Sequence, residues 1–222
     1  MHSVKGTGVT EPGVEGISQH NNGVQGTSAD SGASGVYGTN TGGGFGVAGD
    51  SRDGVGVLGR GKIAGRFEGD VEVGGNLVVQ GDVILANADC AEDFDISGNE
   101  QIESGMVMVI DPEGRLQQSH QAYDKRVAGV ISGAGCYKPG IILDKQAAQG
   151  NRMPVALLGK VYCKVDAQYS PIDVGDLLTT SPTPGHAMKA DDPLKAFGAV
   201  IGKALRPLKE GQELIPILIA LQ

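Results

Sequence analysis

Apolar residues in the first 62 positions recur at nearly regular intervals. The tetrapeptide Gly-Val-x-Gly begins at residues 13, 23, 35, 46 and 56, so that successive copies start 10, 12, 11 and 10 residues apart. The intervals are filled by Ser, Thr, Asn, Asp and Gly, which favour turns. Each copy therefore predicts one short β-prone unit with a single β-branched side chain, followed by a polar loop.

The interval between repeats becomes shorter in the segment that ends at residue 86. Gly69, Gly75 and Gly81 each precede Asp or Asn and then alternating apolar positions, at a spacing of six residues. Alternation with a period of two predicts half-buried strands, and a turn every six residues makes those strands very short. We therefore predict a repeat shaft over residues 1–62 and a β stem over residues 63–86.

One valine per repeat cannot offset the conformational entropy lost when about ten residues are ordered. Three chains wound about one axis would solve this problem, because each apolar side chain would meet two counterparts and glycine would let the backbones approach closely. The sequence thus predicts an interwoven triple-stranded β-helix. Its predicted axial residues are Val14, Val24, Val36, Val47, Val57, Val71, Val73, Leu77, Val79, Val83 and Leu85. The alternative is a disordered linker over residues 1–62, whereas collagen is excluded because glycine does not fall at every third residue.

From residue 87 onward the pattern changes to short β-prone segments separated by Gly and Pro turns. Segments at 106–110, 116–118, 126–131, 154–165, 174–178, 197–205 and 213–221 predict strands, with a break at Gly159 in the fourth. The tetrapeptide Asp111-Pro112-Glu113-Gly114 predicts a turn. No stretch of ten residues has clean helical periodicity. The predicted fold class is all-β, with a compact antiparallel β-sandwich or barrel over residues 87–222.

Composition narrows the classes of partner. The chain has a formal net charge of −8, no Trp, and 37 Gly among its 222 residues. Nucleic acid and membranes are not predicted partners, because nucleic acid and anionic lipid surfaces both require clustered Lys and Arg. No cofactor or metal site is predicted, since the four His and three Cys lack ligand spacing. The Gly-x-Gly-x-x-Gly matches at 44–49 and 54–59 lack the following helix that a dinucleotide site needs.

Two parts of the chain resemble phage proteins. The Gly-Asn/Asp-apolar-x-apolar units of residues 63–86 resemble the stems of phage tail and appendage fibres, which form interwoven triple β-helices. Residues 87–222 resemble the glutamic-type self-cleaving intramolecular chaperone domain at the C-terminus of phage neck-appendage and some tail proteins. The likeness lies in Asp89-Cys90-Ala91-Glu92 and in the segments Arg-Val-x-Gly-Val-Ile, Pro-Val-Ala-Leu-Leu-Gly-Lys-Val and Ile-Gly-Lys-Ala-Leu. In that family the domain drives trimerisation of the preceding β-helix and then cuts itself off.

This resemblance implies that Asp89 and Glu92 are catalytic carboxylates and that Ala88–Asp89 is the scissile bond. Two carboxylates at a trimer interface would repel each other, so that one pKa rises and the pair can act as acid and base. The chain departs from the expected pattern at Ala88, where we expect Ser before the cut. The alternative is a structural role for Asp89 and Glu92, as turn caps or in ion pairs.

These patterns predict a structural homotrimeric fibre or appendage protein of a phage or phage-like particle. Its C-terminal domain would nucleate trimerisation and set the register, and its N-terminus would attach to other virion or injection-machine proteins. A host-surface receptor is a further candidate partner. Because residues 1–30 are polar and contain no signal peptide, we expect folding in the host cytoplasm and a final location in the virion. The alternative functions are a self-cleaving chaperone released from the mature fibre and a non-viral bacterial repeat or surface protein.

Overall fold

The computed structural model describes residues 5–98, 101–146 and 150–221. The chain divides into two compact units, Met1–Leu77 and Val78–Gln222. All helices and strands of the described residues lie in the second unit. No helix within the described ranges has the length and apolar character needed to cross a membrane.

Strands dominate the C-terminal unit, which confirms the all-β prediction for this part of the chain. In chain order the elements are β1 (Asp89–Asp95), β2 (Val107–Ile110), β3 (Leu116–Gln118), β4 (Val127–Ile131), β5 (Pro139–Leu143), β6 (Arg152–Asp166), β7 (Leu177–Thr180), β8 (Ala187–Lys189), α1 (Pro193–Ala196), β9 (Val200–Ala204) and β10 (Gln212–Ile219).

Five of these strands close into a barrel. The pairing runs from β6 to β10, then to β9, β7 and β8, and returns from β8 to β6. Strict alternation fills its interior, because every second residue of a strand points to the same side. The C-terminal half of β6 contributes Val161, Cys163 and Val165, and β10 contributes Ile215 and Ile217, all fully buried. Burial also raises the pKa of the Cys163 thiol.

A second, smaller core lies under the N-terminal half of β6. There β6 pairs with β1 on one side and with β4 on the other, and β2 and β3 continue the sheet beyond β4. Met108, Leu116, Ile131 and Val155 form the buried centre of this core. Strand β6 therefore belongs to both cores, with its two halves on either side of Gly159.

The structure corrects several sequence-based expectations for the C-terminal unit. Strand β6 runs without a break through Gly159, whose φ of +105° lets the strand change direction instead of ending it. Strand β7 begins at Leu177, three residues later than predicted, because residues 174–175 form a turn. Strands β1, β5 and β8 were not predicted, and the sheet is not purely antiparallel, since β1–β5 and β6–β8 are parallel pairs.

The N-terminal unit is organised by glycines that bring successive repeats into contact. A Cβ atom added to Gly16 would lie 2.5 Å from the Gly23 carbonyl oxygen and 2.5 Å from Val24 Cγ2. The same contact joins the last glycine of one repeat to the first Gly-Val of the next at these pairs: Gly16 with Gly23, Gly26 with Gly35, Gly38 with Gly46, and Gly49 with Gly56. Gly6, which precedes the first repeat, contacts Gly13 in the same way. We call these contacts the glycine closures. The two glycines of each pair are seven to nine positions apart, so the loop between them can vary in length while each valine keeps its place beside the preceding repeat.

Local side-chain hydrogen bonds shape the loops between the closures. The Asn40 carboxamide oxygen accepts from the backbone N–H groups of Gly42 (2.8 Å) and Gly44 (3.1 Å). Asp30 Oδ1 likewise accepts from Gly32 N (2.7 Å), and Ser51 Oγ accepts from Gly54 N (3.1 Å). These are the turns that Asn, Asp and Ser favour. Residues 5–88 contain no strand, so the β pairing predicted for the shaft and stem does not occur within one described chain.

All the predicted axial side chains are exposed, with 46–75% of their surface open to solvent. Val14, Val36 and Val47 are exposed by 69%, 69% and 72%, and Val79 and Leu85 by 46% each. A soluble chain rarely leaves so many large apolar side chains in water at regular positions unless they meet a partner.

A buried carboxylate stabilises the barrel. Asp166 is fully buried, and its Oδ2 accepts from Thr183 Oγ1 (2.6 Å), Gln168 Nε2 (2.6 Å) and Gln212 Nε2 (2.8 Å). Its Oδ1 accepts from the Gln168 backbone N–H at 2.9 Å. Burial tends to raise the pKa of Asp166, but these hydrogen bonds together outweigh burial and hold the pKa below its usual value.

We expect Asp166→Asn to destabilise the C-terminal unit by about 1–3 kcal/mol at pH 7, because the new amide leaves at least one buried donor without an acceptor. The lowered pKa means that the carboxylate stabilises the fold above its unfolded pKa of about 3.9 and that this contribution is lost as the pH falls further. The difference between variant and unsubstituted protein should therefore shrink below about pH 4. Urea unfolding across this pH range measures it. Asp191→Asn, at an exposed carboxylate, is the control and should have little effect.

We expect Gly38→Ala to loosen the N-terminal unit, because its Cβ would lie 2.4 Å from the Gly46 carbonyl oxygen and 2.6 Å from Val47 Cγ2. Overpacking of this kind costs about 1–3 kcal/mol. Limited proteolysis within residues 38–47 should become faster. Gly42→Ala is the control, because its Cβ would approach only Asn40 Oδ1, at 3.6 Å. Equal proteolysis rates for the two variants would contradict the role assigned to the glycine closures.

Candidate functional site

The Ala88–Asp89 bond lies where the chain enters β1, and hydrogen bonds fix its backbone on both sides. Ala88 N donates to the Lys138 carbonyl oxygen at 3.0 Å. The Ala88 carbonyl oxygen in turn accepts from Lys160 N at 3.3 Å. Residues just before β5 and within β6 thus hold the bond that the sequence resemblance implies to be scissile.

Two glycines make this close approach feasible. A Cβ added to Gly159 would lie 2.5 Å from the Ala88 carbonyl oxygen and 3.0 Å from Asp89 Cα. On the other side, a Cβ added to Gly140 would lie 3.3 Å from the Asn87 carbonyl oxygen. Any larger residue at 159 would also be strained by its φ of +105°. The backbone around the bond is therefore enclosed between β5 and β6.

Asp89 is buried beside a serine. Only 5% of its surface is exposed, and Ser132 Oγ lies 3.0 Å from its Oδ1 and 2.9 Å from its Oδ2. Burial raises the pKa of Asp89, and the hydrogen bond donated by Ser132 opposes that rise without cancelling it. A raised pKa is the property that a carboxyl group needs if it is to hold a proton and donate it.

Glu92 does not converge on Asp89 within one chain. Strand β1 alternates, with Asp89, Ala91 and Asp93 buried and Cys90, Glu92 and Phe94 half-buried. Residues three apart on a strand point to opposite faces. Asp89 and Glu92 therefore face opposite sides of β1, and a pair of carboxylates could form here only if another chain supplied one of them. Their catalytic roles stay a prediction.

Sequence reasoning misses two residues of this site, Ser132 and Gly140, and assigns the wrong role to a third. Ser132 is 43 residues from Asp89 in the chain, so no local pattern links them. Gly140 carried no signal, because β5 itself was not predicted. The sequence predicts a strand break at Gly159, whereas in the fold this glycine lets the Ala88 carbonyl approach β6.

An aromatic and basic cleft of about 370 Å³ adjoins the same bond. It is lined by residues 86–88 and by Cys136, Tyr137, Lys138 and Lys160. The Lys160 ammonium lies 5.0 Å above the centre of the Tyr137 ring, and that ring contacts Tyr162 at a centroid distance of 5.1 Å. Within the loop at 133–139, Cys136 is open to solvent, whereas Tyr137 packs on β6.

The described parts of the chain contain no cluster of metal-ligating side chains. Within residues 5–98, 101–146 and 150–221, no group of three or more His, Cys, Asp or Glu side chains is placed to hold a metal ion.

We expect Ser132→Ala to destabilise the C-terminal unit by about 1.5–3 kcal/mol at pH 8, because it removes the hydrogen bond to a buried, ionised carboxylate. The loss should shrink as the pH falls toward 4, since protonated Asp89 no longer needs that donor. Denaturant unfolding at the two pH values measures the effect. The control is Ser119→Ala, because the buried Ser119 Oγ has no hydrogen-bond partner in the described chain. A loss that did not depend on pH would contradict the assigned contact.

Comparisons with known proteins give likenesses in structure alone. No protein-family model and no curated protein sequence matches the chain. Pre-mature gene product 12 of bacteriophage phi29 aligns at 15% identity and a TM-score of 0.48, covering 67% of this chain and 24% of that one. The C-terminal fragment of the same protein aligns at 16% identity and a TM-score of 0.41, covering 60% of this chain and all of that one. The N base of the phi29 head fibre protein gp8.5 aligns at 19% identity and a TM-score of 0.31, covering 59% of this chain and 92% of that one. The chain spans about a quarter of the first of these proteins, and at such scores the likenesses carry no functional argument.

Proposed function

We propose that this chain is one protomer of a homotrimeric structural fibre or appendage protein of a phage or phage-like particle. The observation that carries the trimer is the row of eleven exposed valine and leucine side chains between Val14 and Leu85. The phage assignment and the virion location rest on the sequence resemblance of residues 63–86 and 87–222.

The glycine closures support this proposal because they keep the valines at equivalent positions while the loops vary in length. Each closure sets one Gly-Val unit directly after the previous repeat, so a change in loop length does not shift the apolar beat. Each Gly-Val unit therefore keeps the same position relative to the repeat before it, so that the valines of successive repeats can line one axis. Full burial of one such side chain contributes roughly 1.5–3 kcal/mol. Three identical chains around one axis would bury them all.

The C-terminal unit would nucleate this assembly. Its barrel has a complete core of its own, whereas the described shaft residues are all exposed. A long triple-stranded structure starts slowly, because three chains must meet in one register. A unit that folds first and trimerises would fix that register. The three stems would then assemble from residue 86 toward the N-terminus.

Self-cleavage at Ala88–Asp89 is the second candidate function. It is favoured by the enclosed backbone of that bond and by the raised pKa of the neighbouring Asp89. In the trimer, Glu92 of another protomer would complete the carboxylate pair. The C-terminal unit would then be an intramolecular chaperone that leaves the mature fibre, with Glu92→Gln abolishing its release.

Native mass spectrometry of freshly purified full chain tests the proposal. We expect a mass of three times 22.7 kDa. A trimer of shortened chains, with a released piece that begins at Asp89, would favour the self-cleaving chaperone. A monomer at micromolar concentration would contradict the fibre altogether.

The axial assignment is tested by replacing both Val36 and Val47 with Asp. Charges on the axis should open the shaft and speed protease cleavage within residues 5–62 by at least about tenfold, because the ionised side chains cannot be buried without a large cost. The C-terminal unit should remain trimeric. The matched control places Asp at the next residue of the same two repeats, as Tyr37→Asp with Ala48→Asp. Unchanged protease resistance in the valine variant would contradict the axial assignment.

A further inference from the structure

Beside the candidate site, the C-terminal unit carries an uncovered apolar surface. Ile141 and Leu143 on β5 are exposed by 44% and 47%, and Leu158 on β6 by 65%. We call these three side chains the β5-edge patch. Isolated exposed apolar residues are common on protein surfaces, so what matters is whether these three form one surface.

Strand pairing shows that they do. Cys90 of β1 is paired with Ile141 on one side and with Leu158 on the other, and Glu92 is paired with Leu143. Paired residues on neighbouring strands share a face of the sheet. The β5-edge patch, Cys90 and Glu92 therefore lie on one face of a three-stranded layer.

The opposite end of the same face is already covered. Phe94 and Met153, which are paired with each other, pack against the second core. The second core thus covers only one end of this apolar face. The other end, near the beginning of β1, is exposed. Among the described strands β5 pairs with β1 alone, so its outer edge is open as well.

The position of the patch indicates its occupant. The Ala88 carbonyl oxygen accepts a hydrogen bond from the backbone N–H of Lys160, two residues beyond Leu158. The chain therefore enters β1 directly beside the patch. In the proposed trimer, Val83 and Leu85 lie on the common axis with their counterparts, where neighbouring strands are about 4.8 Å apart. Three residues span at most about 10 Å. The surfaces that flank Ala88 in the three copies are therefore forced close together.

Charges around the patch are suited to contact between copies. Glu92 lies at its Leu143 end, and the exposed Lys160 lies at its Leu158 end. Neither side chain has an ion-pair partner within the described residues. In a three-fold ring, one side of the surface of each copy meets the other side of its neighbour, so opposite charges at the two ends are complementary.

We propose that the β5-edge patch is the surface through which the C-terminal units of neighbouring protomers contact one another. This inference rests on the proposed function, because it requires the homotrimer. It adds the residues that hold the three C-terminal units together, which the sequence patterns of the shaft do not supply.

The test compares full-length chains carrying Leu158→Glu or Val174→Glu. Val174 is the matched control, because it is 63% exposed and lies in the turn before β7, outside the patch. Native mass spectrometry over a dilution series measures the concentration at which half of the trimer dissociates. We expect Leu158→Glu to raise this concentration at least tenfold and Val174→Glu to leave it unchanged, with circular dichroism confirming that both variants fold.

A second measurement does not depend on weakening the trimer. In a background with Cys90→Ser and Cys136→Ser, we expect Leu158→Cys combined with Leu143→Cys to form covalent links between protomers with a short bifunctional maleimide. Val174→Cys combined with Leu143→Cys should form none. If unsubstituted protein is trimeric but Leu158→Glu dissociates normally and the pair Leu143→Cys with Leu158→Cys stays unlinked between protomers, the patch is open to another protein or to solvent. That result would overturn this inference and leave the proposed function standing. A monomeric unsubstituted protein would overturn both.

Discussion

Backbone hydrogen bonding along β6 is the constraint on which the rest of the C-terminal unit depends. Its N-terminal half pairs with β1 and β4 over one core, and its C-terminal half pairs with β10 and β8 over the other. Gly159 sits between the halves and is paired with Asp89 and with Ile219. Its positive φ lets one strand serve both layers, and its missing side chain lets β1 begin against it. The chain therefore enters the unit at the point where the two cores meet.

Glycine solves a different problem in the N-terminal unit. There residues 5–77 form no strand, and their large apolar side chains are exposed. The glycine closures hold each Gly-Val unit against the preceding repeat while polar loops of unequal length project from it. Within the described residues, the large apolar side chains of the repeats are exposed, and the proposed homotrimer would cover them with copies of the same chain.

The Ala88–Asp89 bond lies next to both the buried Asp89 carboxylate and the proposed contact surface between protomers. Enclosure between Gly140 and Gly159 fixes the backbone, and Ser132 holds the buried Asp89 carboxylate. The same strand directs Glu92 to the opposite face, next to the β5-edge patch. A contact between copies through that patch would place Glu92 at the interface, on the face of β1 opposite to the buried Asp89.

By itself the sequence determined the all-β class, the positions of most strands and the apolar beat, because these follow from periodicity and from turn residues that act within a few positions. The hairpin turn at Asp111–Gly114 is such a case: Asp111 Oδ1 accepts from Glu113 N and Arg115 N, and Gly114 has a φ of +82°. Only the tertiary structure decided that Asp89 and Ser132 meet, that Asp89 and Glu92 face apart, and that Gly159 bends a continuous strand. These features depend on which strands become neighbours, and strand pairing joins residues that are tens of positions apart and share no local pattern.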